Sequence, residues 1–200
     1  AEPLGLLYIA SSLVSAGYEV DVFDMACEGY ENLMVDDDGY VTYGSSMSDL
    51  VDRVAYFHPD LVGVSCMYTA RESITLDVCR ELKRCNGDLV VVAGGLSPTT
   101  NPIKFLDGGV VDYVVMNEGE LRLRQLIENL NQGVRLEHDL DGIAYVDNLG
   151  DKVIIPAHSI VHDLDSLALP DRHMVNMEKY FSIGVPFAPF ARSSRVGHVL

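Results

Sequence analysis

Short, uniformly apolar runs alternate with helical stretches along most of this chain, and that alternation leaves few folds open. Leu61-Val62-Gly63-Val64-Ser65, Asp88 to Ala93 and Val111 to Val115 are β-branched runs without a polar face. Strands of that kind are covered on both sides, as the strands of parallel sheets are. Between them, Arg71 to Cys85 places Ile74, Val78 and Leu82 at helical spacing. Pro102 to Leu106 reads as a short helix, and Gly119 to Leu130 as a longer one with Gly133 behind it. A parallel connection needs a crossover, and a helix provides it. The pattern predicts an α/β fold: a flavodoxin-like or Rossmann-like parallel sheet with helices on both faces.

Upstream, Pro3 to Ala16 carries Leu6, Leu7, Ile9, Ala10, Leu13 and Val14 at helical spacing, with Gly17 as a stop. Tyr18 to Phe23 reads as a strand, and Ser46 to Phe57 as an amphipathic helix. The chain opens Ala1-Glu2-Pro3 and enters a helix at once, so the first strand of the sheet is expected to have been truncated. Downstream, Gly142 to Val146 and Lys152 to Ile155 flank Asp147-Asn148-Leu149-Gly150, a β-hairpin signal. From Pro156 onward, prolines and isolated apolar residues read as a linker. The expected division is residues 1–135 as a ligand-binding α/β domain and 136–200 as hairpin and linker.

Several chemistries are excluded or weakened. The 200 residues hold 14 Lys and Arg against 30 Asp and Glu, a formal charge of −16. Nucleic acid binding draws on cations that neutralise phosphate, so no nucleic acid or anionic membrane partner is expected. No apolar run approaches a bilayer span and no signal peptide is visible, which points to the cytoplasm. Cys27, Cys66, Cys79 and Cys85 form neither CxxC nor CxxxCxxC, so they read as reduced thiols. Asp36-Asp37-Asp38-Gly39 lies between two short apolar runs and reads as a solvated turn in a small hairpin or excursion. It is no EF-hand loop, because the twelfth position from Asp36 is Met47. GxSxG, HExxH, GxGxxG and GxxxxGK[ST] are all absent. The six histidines, His58, His138, His158, His162, His173 and His198, fall mostly in loops or the tail.

Open parallel sheets bind ligands beyond the carboxyl ends of their strands. That rule selects three segments: Ser65-Cys66-Met67-Tyr68-Thr69, Gly94-Gly95-Leu96-Ser97-Pro98-Thr99-Thr100 and Asn117-Glu118-Gly119-Glu120. Each alone could be ordinary caps and turns. Together they place glycines and hydroxyls on one rim.

In order and spacing, PLGLLYIASSLVSAGYEVDVFD, HPDLVGVSCMYTA, AGGLSPTTNP, VDYVVMNEGE, DLDGIAYVDNLGDKVI and LDSLALPDRHMVNMEKYF resemble the N-terminal region of cobalamin-dependent radical S-adenosylmethionine enzymes. That family includes the anaerobic magnesium-protoporphyrin monomethyl ester cyclase and many methyltransferases. The resemblance implies a cobalamin-binding domain with the corrin on the strand-end rim. Pro3, Leu4 and Gly5 match the family's PPLG entry to the first helix. Ser65, Tyr68 and Thr69 match the loop beside the corrin. Gly94, Gly95, Ser97, Pro98 and Thr99 match GG-x-HPT, with Leu96-Ser97 replacing a small residue and His. Asn117, Glu118, Gly119 and Glu120 match R-G-E-G-E, with Met116-Asn117 replacing Val-Arg. A DxHxxG histidine for the lower face of cobalt is absent. The resemblance also implies a partner domain with CxxxCxxC, a [4Fe-4S] cluster and S-adenosylmethionine, which Phe190-Ala191-Arg192-Ser193-Ser194-Arg195 would approach. No catalytic residue is expected in this chain, nor a metal ligand. The open alternatives are a sensory module for a flavin or nucleotide and a non-catalytic interaction domain.

Overall fold

The structure is a computed structural model that describes residues 2–183, apart from residues 36, 38, 40 and 134–139. Asp36 and Asp38 of the acidic turn, the expected domain boundary and the Phe190 to Arg195 segment therefore lie outside the described residues. Two compact units emerge: residues 1–56 with 168–200, and residues 57–167.

In the first unit, α1 (Leu4–Ser15) and α2 (Met25–Glu28) precede a two-stranded ribbon, β1 (Leu33–Val35) with β2 (Val41–Tyr43), and then α3 (Met47–Phe57). Leu7, Ala10 and Leu13 recur on one face of α1 and are buried, as the spacing predicts. The small hairpin is present, with Leu33 opposite Tyr43 and Val35 opposite Val41. Tyr18 to Phe23 differs from expectation, since it joins no ladder. Its β-branched and aromatic residues favour extended backbone, but a strand also needs a neighbour. In the flavodoxin-like order 2-1-3-4-5, the second strand pairs with the first alone. Among the described residues nothing supplies that ladder.

Residues 168–183 differ as well. Their sequence reads as a linker, yet they are tied down. Asp171 N–H donates to Ser11 Oγ at 2.8 Å, and Arg172 Nε reaches the buried Glu2 carboxylate at 3.1 Å. A further helix, α8 (Met177–Ile183), follows. From it, Lys179 Nζ donates to Glu28 O at 2.6 Å and Tyr180 Oη to Asp24 Oδ2 at 2.7 Å. Asp24 also caps α2 through the N–H groups of Ala26 and Cys27. Burial, then the Asp24 carboxylate, pushes the Tyr180 phenol well above its usual range.

The second unit holds the sheet. Its elements are β3 (Leu61–Ser65), α4 (Glu72–Cys85), β4 (Val90–Gly94), α5 (Leu96–Thr100), α6 (Pro102–Leu106), β5 (Tyr113–Val115), α7 (Gly119–Asn131), β6 (Ile143–Val146) and β7 (Lys152–Ile155). The order is β3-β4-β5-β6-β7. β3, β4 and β5 run parallel, with Val62 beside Val91 and Ala93 beside Val114. The predicted hairpin is part of this sheet, because β6 pairs antiparallel with β5 and with β7. Val91, Val92, Ala93 and Val114 are all buried, as strands covered on both faces require. Asp112 fastens the entry to β5: its carboxylate accepts Val91 N–H at 2.7 Å and Lys83 Nζ at 2.9 Å.

Cys27, Cys66 and Cys79 are buried, Cys85 is exposed, and all four are free thiols. Burial pushes the Cys79 thiol up to about 12, which keeps it protonated. Among the described residues no His, Cys, Asp and Glu group could hold a metal ion. No helix there is long and apolar enough to cross a membrane.

Candidate cobalamin site on the sheet rim

The three segments picked out by sequence follow β3, β4 and β5 in the second unit, and the structure laces them together. The polypeptide leaving β3 bonds to the one leaving β4: Cys66 N–H donates to Gly94 O at 2.8 Å, and Ser97 N–H returns to Cys66 O at 3.1 Å. Such close passage requires glycine at Gly95, whose φ is +98° and ψ −175°. This backbone region is essentially confined to glycine. A Cβ there would also stand 2.8 Å from Cys66 O. The segment after β4 bonds in turn to the one after β5, where Thr99 Oγ1 accepts Asn117 N–H at 2.8 Å.

Asn117 has φ +59°, the left-handed conformation that glycine supplies most easily and Asn tolerates better than most residues. Pro3, Leu4 and Gly5 lie apart from these segments in sequence and open α1 in the first unit. Among the described residues, a Cβ at Gly5 would meet nothing within 4 Å.

The side chains divide into those already used and those left outward. Ser97 is buried and donates its hydroxyl to Glu72. Glu118 accepts Val161 N–H at 2.8 Å. Pro98 and Gly119 are buried. By contrast Met67 is 54% exposed, Tyr68 71% and Leu96 58%. Three large apolar side chains facing solvent beside glycines and polar backbone suit a broad, flat, mostly apolar ligand with polar edges.

Sequence reasoning missed the polar groups that brace this rim. Glu72 begins α4 and is one. The other is a network around the buried Arg122 of α7. Arg122 Nη1 donates to Glu118 O at 2.8 Å, Nε to Asp141 O at 3.0 Å, and Nη2 to Asp141 Oδ2 at 2.8 Å and to Ser159 O. Asp141 also accepts the N–H groups of His158 at 2.6 Å and Ser159 at 3.0 Å. The third rim segment is thereby bolted to the chain that leaves β7. A signal was present for both braces. Arg122 stands with Gly119, Leu123 and Leu126 on the buried stripe of α7, and Glu72 with Thr75, Cys79 and Leu82 on that of α4. A charge on an apolar stripe announces a partner.

Burial works to raise the Asp141 pKa, but the bonds from Ser159, His158 and Arg122 outweigh it and hold the carboxyl well below the usual carboxylate range. A depressed folded value stabilises the fold above the unfolded pKa of about 3.9 and loses that contribution as pH falls through the folded value. Urea unfolding should therefore show Asp141→Asn less stable than the parent at pH 7, with a shallower loss of stability below pH ~4. Equal acid slopes for the two proteins would contradict this.

A separate open groove of about 450 Å³ lies in the first unit, among Phe23, Asn32, Asp49, Asp52, Arg53 and Tyr56. Arg53 is already held by Asp21 at 2.6 Å, and no sequence-predicted residue lines the groove.

Comparison with known proteins decides the family. The B12 binding domain family matches residues 1–127. The chain belongs to it. This domain is 33% identical over 220 residues to the cytidylyl-2-hydroxyethylphosphonate methyltransferase of Streptomyces wedmorensis, covering 98% of this chain and 41% of that protein. It is 28% identical over 200 residues to the anaerobic magnesium-protoporphyrin IX monomethyl ester cyclase of Synechocystis sp., covering 96% and 36%. The chain thus spans 41% and 36% of the length of these two relatives. Among solved structures, the cobalamin-dependent S-adenosylmethionine radical enzyme OxsB, with aqua-cobalamin and S-adenosylmethionine bound, superposes with a TM-score of 0.65 at 20% identity. That match covers 84% of this chain and 22% of OxsB. The radical S-adenosylmethionine methyltransferase TsrM from Kitasatospora setae, with cobalamin and a [4Fe-4S] cluster bound, gives 0.61 at 22% identity, over 82% and 28%. These likenesses establish the fold of the B12-binding domain. Membership of the family favours cobalamin over the flavin, nucleotide and interaction-only alternatives.

Proposed function

We propose that the rim formed by Ser65 to Thr69, Gly94 to Thr100 and Asn117 to Glu120 holds the cobalamin. In this reading Met67, Tyr68 and Leu96 lie against the corrin, and Gly94 and Gly95 let the backbone approach it. Ser65, Thr69, Thr99 and Asn117 offer polar atoms to the edge of the corrin and its tail. Ser97, Pro98, Gly119 and Glu120 shape the rim from beneath, and the exposed Glu118 fixes its edge through Val161 N–H.

The observation that carries the reading is the combination of three laced strand-end segments with three large apolar side chains left exposed on them. A bound cobalamin supplies cobalt chemistry, methyl transfer or a related radical step, to a reaction whose other parts, a [4Fe-4S] cluster and S-adenosylmethionine, belong to a radical domain in a longer polypeptide. This chain's own part is to bind, to orient and to exclude water. The chain, mixed with hydroxocobalamin and desalted, should retain a corrin absorbance near one equivalent. A folded chain that elutes colourless would overturn the proposal.

A further inference from the structure

We propose that Glu72, in the first turn of α4, is a positioning residue for the loop Gly94 to Thr100, acting through Ser97 with Lys104 as its counter-charge. The inference rests on the reading of this rim as the corrin site.

An acidic residue in the first turn of a helix ordinarily serves the helix dipole from the surface. Glu72 is 6% exposed. A carboxylate is costly to bury unless each oxygen finds a partner. Both oxygens do, on different elements: Oε1 accepts the Ser97 hydroxyl of α5, and Oε2 the Lys104 ammonium of α6. One side chain therefore joins the start of α4 to α5 and α6, the two helices that follow β4.

The loop needs such a brace. α5 is five residues long, too short to be stable by its own helical bonds. Its position follows from outside contacts: Ser97 N–H on Cys66 O, the Ser97 hydroxyl on Glu72, and Thr99 Oγ1 under Asn117 N–H. The exposed Leu96 precedes Ser97 and Thr99 follows two residues later. A shift at Ser97 would move both the apolar contact offered to the corrin and the contact to the third rim segment. The opposite end of the sheet has its own fastening, Asp112, which accepts from Lys83 Nζ and Val91 N–H. Loosening Glu72 should therefore disturb the rim more than the core.

The test is a spectral titration with hydroxocobalamin of the parent chain, Glu72→Ala, Glu72→Gln, Ser97→Ala and the Glu72→Ala/Ser97→Ala double variant. Each is titrated well below its own unfolding midpoint. Glu72→Ala and Ser97→Ala should each weaken corrin binding by about tenfold. The double variant should bind no worse than the weaker single one, because both act through one bond. Glu72→Gln, which keeps an acceptor for Ser97, should recover most of the affinity. Folded single variants that bind like the parent, or losses that multiply in the double variant, would overturn the proposal. If Glu72→Ala does not fold, Ser97→Ala and Glu72→Gln decide the matter by the same criteria. A parent chain that binds no corrin would sink the site reading together with this inference, a result distinct from normal binding by all variants.

Discussion

Replacing Arg122 by methionine should lower the stability of the chain by about 2–3 kcal/mol, less than the loss at a fully buried ion pair because Asp141 is 27% exposed while Arg122 is buried. Methionine fills similar space, so little of the loss would come from a cavity. It would come from Asp141, left without its arginine, and from the carbonyls of Glu118, Asp141 and Ser159, which now share that guanidinium. Arg122→Lys should rescue little, since one ammonium cannot span acceptors on three segments. Position 142 makes the site less forgiving: a Cβ at Gly142 would meet Arg122 Nε at 2.5 Å, so the arginine lies flush against the backbone. Thermal unfolding followed by circular dichroism should show a fall of roughly 10 °C for a chain of this length. A change below about 1 kcal/mol would show instead that the network lies at the surface in solution, where ion pairs count for little.

The second large effect is expected at the glycine pair, and the two glycines should differ. Gly95→Val forces a β-branched residue into a glycine-only backbone region and drives its Cβ against the Cys66 carbonyl, at 2.8 Å from the oxygen and 3.1 Å from the carbon. Neither neighbour is a flexible side-chain tip that could swing away. The cost should be roughly 3 kcal/mol or more, with loss of corrin binding. At Gly94 an added Cβ would lie 3.7 Å from Val115 O, an ordinary contact. Gly94→Ala should therefore fold nearly as well as the parent, and any effect would appear in corrin affinity. Chemical denaturation and corrin titration on the two variants check both halves. Equal destabilisation by the two substitutions would contradict the role given to Gly95.

The parts of this fold that were legible in the sequence are those whose signal is local. β3, β4 and β5 announce themselves by apolar, β-branched runs, although only β4 and β5 are buried and β3 is half-exposed, and the rule that ligands sit beyond the carboxyl ends converts strand ends into candidate residues. Tyr18 to Phe23 marks the limit of that logic. Its composition sets an extended backbone, but ladder formation depends on a neighbour that composition does not name. The residues from 168 to 183 mark a second limit, since Asp171 on Ser11 and Tyr180 on Asp24 join positions more than 150 residues apart. The braces of the rim fall between these cases. Their partners lie 19 to 37 residues away, from Arg122 to Asp141 and to Ser159. No spacing rule reveals that, but a charge on the buried stripe of a helix was readable and could have flagged Glu72 and Arg122.

Some candidate residues changed meaning once side chains were in view. Ser97 and Glu118 read as ligand contacts from their place after strands, yet the hydroxyl of one is engaged by Glu72 and a carboxylate oxygen of the other by Val161 N–H. Both side chains are thus already engaged within the chain. Met67, Tyr68 and Leu96 carry the rim's exposed face, although only Tyr68 was singled out from sequence.

The central claim is that cobalamin lies on this rim, and hydrogen–deuterium exchange of the chain with and without hydroxocobalamin tests it most directly. The account predicts slowed exchange in peptides covering residues 65–71, 94–101 and 116–121, with little change at the opposite strand ends, Leu61, Val90 and Tyr113. Protection confined to the groove around Asp49 and Arg53, or to the strand starts, would contradict it.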